Sequence, residues 1–394
     1  MLTPSPYGWI SQYFLGFFFA YGVYLPFWAL WFEEQGISAT DIGVLVGIGF
    51  ATRCVANLVI TPRIHKAEHL LPALRWLSLA ALLFIAFHFF TGGSFWLMAL
   101  ATVLFNLCCG PIVPLSDALA NYYSRLKMLD YGRTRLWGSI AFIGGSTVVG
   151  YLVSLYGSDM ILYTALAGVL FSLVISMRSI STMPVTQSTQ SVERPKVSEL
   201  LREWPVIKFL TLIALIQGSH AAYYSFSAIH WRGAGYSADI IGYLWSLGVV
   251  AEVMVFAFSK RFFSGWTLRA LFLTASVGVM VRWGMTASTT ELYALVMIQL
   301  LHGVTFAVAH IAAIQYIQQE EEHKMVALQA LYNAIPLGAV IALVTTLSGW
   351  GYDNWGANVF WAMALMGLLS LFVKVDPQGS STIDMNKAEA KAQN

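Results

Sequence analysis

Long apolar runs, each broken by a few polar, glycine or proline residues, recur along the whole chain. Read at those breaks, the pattern predicts twelve helices, at about 7 to 32, 40 to 62, 70 to 91, 95 to 121, 132 to 156, 159 to 177, 205 to 230, 239 to 260, 267 to 287, 291 to 318, 325 to 350 and 354 to 374. Runs near the roughly 20 residues that cross a hydrocarbon core are expected to be membrane spans rather than soluble core helices. The first run is too long for a cleaved leader, lacks a basic start and is followed by more spans, so it too is expected to remain in the membrane. A single connection is long and polar, MRSISTMPVTQSTQSVERPKVSELLRE at 178 to 204. It divides the predicted helices six and six. The expected fold is therefore an all-α membrane protein of twelve transmembrane helices. Its parts are an N-terminal six-helix bundle (1–177), a cytoplasmic central loop (178–204), a C-terminal six-helix bundle (205–374) and a cytoplasmic tail (375–394).

Composition narrows the function. Hydrophobic residues make up 58% of the 394 and charged residues 11%, against about 25% charged in soluble chains. Mean hydropathy is +0.66, and it is spread along the chain, so one or two anchors beneath a soluble domain are excluded. Twelve segments of about 33 residues leave no room for a globular catalytic domain. A net charge of +2 gives no basic surface for nucleic acid. Cys54, Cys108 and Cys109 sit in apolar runs without ligand spacing, so neither a metal nor a cofactor is expected. Lys and Arg concentrate in alternate loops and at the C-terminal end; Arg232 alone falls on the other side, while Arg53 and Arg282 fall inside predicted spans. Cytoplasmic loops retain positive charge, so both termini are expected to be cytoplasmic.

The two halves resemble each other. Shifting residues 24–53 by 199 positions without a gap aligns Tyr24 with Tyr223, Phe27 with Phe226, Gly36 with Gly235, Ser38 with Ser237, Gly43 with Gly242 and Gly49 with Gly248, and ten of the thirty positions are identical. Arg53 falls opposite Glu252. Duplicated lobes that rock about a site near the midplane are the architecture of secondary transporters.

An ionisable residue at the bilayer centre costs at least about 2.5 to 3.5 kcal/mol, which makes it a site candidate by default. Arg53, Asp117, Glu252 and Arg282 fall at such depth, and two acids with two bases can neutralise one another. Arg135 lies just inside the fifth predicted helix, 18 residues after Asp117, where adjacent antiparallel helices permit a pair. His220, His230, His302 and His310 share the seventh and tenth helices with Gln217 and Gln299. His88, among four phenylalanines, reads as an interfacial residue. Trp28, Trp31, Trp96, Trp231, Trp350 and Trp355 read as belt residues near helix ends. Deeper aromatics, among them Tyr24, Phe142 and Tyr223, would give a cation-bearing apolar pocket suited to an aromatic carboxylate.

The six-plus-six pattern resembles the major facilitator superfamily. The strings PLSDALANYYS, LDYGRTRLWGS, QGSHAAYYSFSAIHWRGAGYSADIIGYLWSLGVVAEV and VRWG resemble the 3-phenylpropionate permease group of enteric bacteria within it. A more distant resemblance is to the lactose permease branch. There, an acid in the fourth helix and an arginine 18 residues later match Asp117 and Arg135. An eighth-helix glutamate matches Glu252, and a ninth-helix arginine followed by a tenth-helix histidine matches Arg282 and His302. This chain departs from that branch at Gln299, His302 and Thr305, where the permease reads Lys-x-x-His-x-x-Glu, and at Phe142, where it has the tryptophan that stacks on sugar. Arg53 has no counterpart there. An added buried arginine suits an anion, because guanidinium grips a carboxylate through two parallel hydrogen bonds.

What these readings and the resemblance imply is a monomeric transporter of the bacterial inner membrane, surrounded by lipid, importing 3-phenylpropionate or a related aromatic acid with a proton as coupling ion. The candidate substrate-binding residues are Arg53, Asp117, Arg135, Phe142, Tyr223, Glu252 and His302. The candidate proton-coupling residues are Glu252, Asp117, Arg282 and His302. An oligosaccharide:proton symporter is the nearest alternative, and a membrane sensor or scaffold the alternative outside transport. An intramembrane hydrolase finds no nucleophile and base at suitable spacing.

Overall fold

The computed structural model describes residues 3–186 and 197–375, and the described chain is helical without a strand. The helices are α1 (Pro6–Glu34), α2 (Ala39–Val59), α3 (Leu70–Phe87), α4 (Phe95–Arg125), α5 (Tyr131–Tyr156), α6 (Met160–Ser176), α7 (Trp204–Gly233, broken at Ser219 and His220), α8 (Ala238–Phe262), α9 (Leu268–Ser288), α10 (Leu292–Gln318), α11 (322–355) and α12 (Val359–Ser370). Ten stretches are long and apolar enough to cross a membrane, and α6, at 17 residues, is apolar but shorter. The last stretch, Lys324–Ser370, is 47 residues long and carries both α11 and α12. No loop separates them, because Gly356, at φ +55, turns the chain within a single tight turn where the sequence pattern placed a break. The expected tail from 376 onward and residues 187–196 of the central loop lie outside the described residues.

Local chemistry sets the helix ends. Ser5 caps α1 and Ser38 caps α2, each side chain accepting a backbone N–H three residues on, while Asp130 and Thr267 do the same for α5 and α9. The duplicated loop has one backbone conformation in both copies: Gly36 and Gly235 sit at φ +79 and +94, and the caps Ser38 and Ser237 share an extended geometry. Only glycine takes that left-handed conformation without strain.

Helix α1 lies at the centre of the early helices, packed by α5 and α6 and by α7 from beyond the central loop. That position explains a correction. Trp28 and Trp31 are 2% exposed and Trp231 is fully buried, so they are core rather than belt residues. His88 is likewise buried, its ring edge-on to Trp28 at 4.9 Å. A helix that buries every face shows no one-sided pattern, and a Trp near its end looks the same in sequence whether it meets lipid or protein. Trp96, Trp350 and Trp355 are exposed, as belt residues are.

The helices before residue 178 meet those after 204 along two main seams, α2 against α11 and α5 against α8, and α7 also packs against α1 and α2. Residues matched by the repeat lie at the closest point of each. A Cβ on Gly43 would sit 2.5 Å from Gly349 Cα, and one on Gly242 would strike the Ser146 carbonyl. At the end of the bundle poor in Lys and Arg, Thr40 donates to Asp353 at 2.7 Å, Ser154 donates to Asp239 at 2.9 Å, and Arg232 pairs with Glu34. Toward the basic end the side chains of Asp117, Arg135 and Glu252 remain 24%, 33% and 25% exposed. Gly43→Val is expected to hold the first seam apart. Disulfide formation between Thr40→Cys and Asp353→Cys should be efficient in the parent and fall at least about tenfold when Gly43→Val is added, with uptake falling alongside.

Candidate functional site

The break in α7 starts one polar network. Where the helix ends at Gly218, the carbonyl of Ile216 accepts from the Ser219 hydroxyl and that of Gln217 from the His220 backbone N–H, and His220 Nδ1 lies 3.2 Å from each. Those carbonyls can only accept, so Nδ1 carries the ring proton and Nε2 is the acceptor. His220 Nε2 then accepts from the Thr305 hydroxyl at 3.1 Å. Thr305 lies in a π-helical segment of α10, Gly303–Val308, which begins directly after His302. Such wide turns re-aim side chains and concentrate at functional sites.

Arg282 of α9 enters this network fully buried. Its Nε donates to the Ile298 carbonyl at 3.1 Å, and Nη1 donates to His302 Nδ1 at 2.9 Å and to Thr305 Oγ1 at 3.0 Å. A guanidinium has no acceptor, so His302 Nδ1 must be bare and its proton must sit on Nε2. That nitrogen faces Glu252 Oε2 of α8 at 3.6 Å. The buried arginine thus reaches a carboxylate only through a neutral imidazole. Tyr223 and Trp283 flank the guanidinium with ring centroids 4.7 and 4.3 Å away, which favours a desolvated cation.

Across the seam, Arg135 Nε approaches Asp117 Oδ1 at 3.6 Å, and the guanidinium lies 4.1 Å from the Phe18 ring centroid. The pair expected between α4 and α5 is therefore in place. Phe142 is buried on α5 with its ring edge-on to Tyr21 at 6.0 Å.

Arg53 does not join the other charges. Its Nη2 donates to Asn106 Oδ1 at 2.9 Å, and it lies over Tyr21 and Tyr24 at 4.9 and 5.6 Å. Its Nε is sealed from solvent without a partner, and among the described residues no carboxylate forms an ion pair with it. The expected mutual neutralisation of four charges is corrected to this extent: Arg282 leads to Glu252, Arg135 to Asp117, and Arg53 is left over.

The duplicated halves carry this chemistry in duplicate. Tyr24 accepts from Asn106 Nδ2 at 2.9 Å beside Gly49, and its repeat partner Tyr223 donates to Gln299 Oε1 at 2.9 Å beside Gly248. An arginine lies over each tyrosine. Asn106 was missed in the sequence, although its place in the apolar run LFNLCCGP was a signal. Among the described residues no group of three or more His, Cys, Asp or Glu is placed to hold a metal ion.

Sequence comparison matches residues 7–363 to the MFS_1-like family. The chain belongs to that family. A probable 3-phenylpropionic acid transporter of Escherichia coli (strain K12) is 41% identical over 93% of this chain and 96% of that protein. A maltose permease of Geobacillus stearothermophilus is 26% identical over 87% and 86% of the two chains. Among solved structures, the nucleoside transporter NupG superposes with a TM-score of 0.78 at 16% identity, covering 93% of this chain and 97% of that one. The POT family transporter PepTSo gives 0.70 at 10% identity, covering 95% and 97%. This MFS_1-like chain is thus a multi-pass membrane transporter of small molecules with the major facilitator fold, and its relatives are not enzymes.

Proposed function

We propose that the protein imports 3-phenylpropionate or a related aromatic carboxylate together with a proton. It acts as a monomer in the bacterial inner membrane, both termini cytoplasmic, by alternating access of its halves, 1–177 and 205–374. The observation that carries this reading is Arg53, a partly buried guanidinium beside aromatic rings that pairs with no carboxylate among the described residues. A charge left unneutralised at membrane depth is costly unless its counter-charge arrives with the substrate. The 41% identical relative, a probable 3-phenylpropionic acid transporter, supports the same substrate class.

For coupling, Glu252 is the proton carrier. Ionised, it is held by the His302 Nε2–H that Arg282 polarises from the other side of the ring. Protonated, it loses that attraction, and the Arg282 charge is released to act elsewhere. Glu252 on α8 and Arg135 on α5 stand on the two helices of one seam, so the proton's arrival is felt by both halves. Asp117 shares that duty through its pair with Arg135. With the seam closed at the end poor in Lys and Arg, and Asp117, Arg135 and Glu252 partly exposed toward the other, the conformation is the one open to the cytoplasm.

The test is uptake of labelled 3-phenylpropionate and of lactose or maltose by cells making the protein. Accumulation of the aryl acid, abolished by a protonophore, with neither sugar accumulated, is the expected outcome. Accumulation of a sugar alone would move the reading to an oligosaccharide symporter.

A further inference from the structure

Beside Arg53 lies a crevice lined by Tyr24, Trp28, Val46, Phe50, Asn106 and, from beyond the central loop, Tyr224. It is almost wholly apolar apart from Arg53 and Asn106. In this conformation it is closed, with room for about 10 Å³ of water, roughly a single molecule. What closes it is the Phe50 ring of α2 against the Tyr224 ring of α7, their centroids 6.3 Å apart.

We propose that this crevice is the subsite for the substrate's ring, with the substrate carboxylate on Arg53, and that Phe50 and Tyr224 set the ring size accepted. Three observations support it. Arg53 lines the crevice and its Nε, sealed from solvent here, is a donor without a partner, while Asn106, itself held by Tyr24 and the Thr102 carbonyl, fixes the guanidinium through Nη2. Carboxylate and ring are therefore received by adjacent groups, as a short aryl-alkanoate requires. The walls come from both sides of the central loop, so a ring entering between Phe50 and Tyr224 must part α2 from α7. Rings pack at centroid distances of about 4.5 Å or more, so a third ring needs about 9 Å between the two walls, an opening of about 3 Å. Tyr224 also stacks on His220 at 5.9 Å, and His220 shares Thr305 with Arg282. A ring that displaces Tyr224 thus pushes on the network that leads to Glu252.

The inference rests on the aromatic-carboxylate reading above, and its test separates the two. Uptake of 3-phenylpropionate and of 3-(2-naphthyl)propionate is measured in cells making the parent, Phe50→Ala or Phe50→Leu. The naphthyl-to-phenyl ratio is read within each variant, so loss of folded protein cancels. The parent should favour the single ring, and Phe50→Ala should raise the ratio at least about tenfold, with Phe50→Leu between. Parent uptake of phenylpropionate with an unchanged ratio in both variants would overturn the subsite and leave the transport reading intact. No parent uptake of either acid would overturn both.

Discussion

Replacing Arg53 with alanine is expected to lower uptake of 3-phenylpropionate by at least about 100-fold, while the protein still reaches the membrane. The guanidinium is partly buried, bonded to Asn106 and lying over Tyr21 and Tyr24, with Nε unpartnered. A hydrogen bond to a charged group contributes about 1.5 to 3 kcal/mol, so losing two to the substrate carboxylate costs about 3 to 6 kcal/mol, or more than two decades in affinity. Arg53→Lys should keep part of the activity, because an ammonium restores the charge without the two-pronged fit. Initial rates over a range of substrate concentrations check this, with membrane abundance measured in parallel. Folding is not expected to suffer in Arg53→Ala, since removing an unneutralised cation relieves a burial cost. Activity of Arg53→Ala near the parent's would show that the substrate carboxylate is held elsewhere.

Glu252→Gln should separate transport from its driving force. Glutamine keeps the shape and can still present an oxygen to His302 Nε2–H, so the network of Arg282, His302, Thr305 and His220 stays assembled. What it cannot do is bind and release a proton. Accumulation against a gradient should disappear, while exchange of labelled for unlabelled substrate across the membrane continues within a few-fold of the parent rate. Accumulation equal to the parent's would transfer the proton to Asp117, the other acid in the partly exposed region.

The chain announced its fold through features that survive burial: run length, the division at 178 to 204, and a repeat strong enough that Gly36 and Gly235 share even their backbone conformation. Asp117 with Arg135 was legible because the two sit on neighbouring helices at a spacing that a short loop and antiparallel packing preserve, while Arg282 with His302 was legible only through the resemblance to the lactose permease branch. The solitary position of Arg53 was not. Its distance from every acid depends on how helices rotate about their axes, and sequence constrains that only where one face is polar. Around Trp28 and Trp31 α1 is buried on nearly all sides, so these residues carried no sign of their core position, and Tyr224 none of its place across from Phe50. The ion pair of Glu34 with Arg232 escaped notice too, although Arg232 was the one basic residue predicted on its side of the membrane.

Proton movement with substrate is read most directly by a pH electrode in a lightly buffered, de-energised cell suspension. Undissociated phenylpropionic acid crosses lipid unaided and alkalinises the medium slowly, so cells without the protein and cells with Glu252→Gln set the baseline. Adding 3-phenylpropionate to cells making the parent protein should alkalinise the medium rapidly above that baseline, in step with entry of labelled substrate. Entry of label well above the baseline, with no alkalinisation beyond it, would contradict proton symport through Glu252.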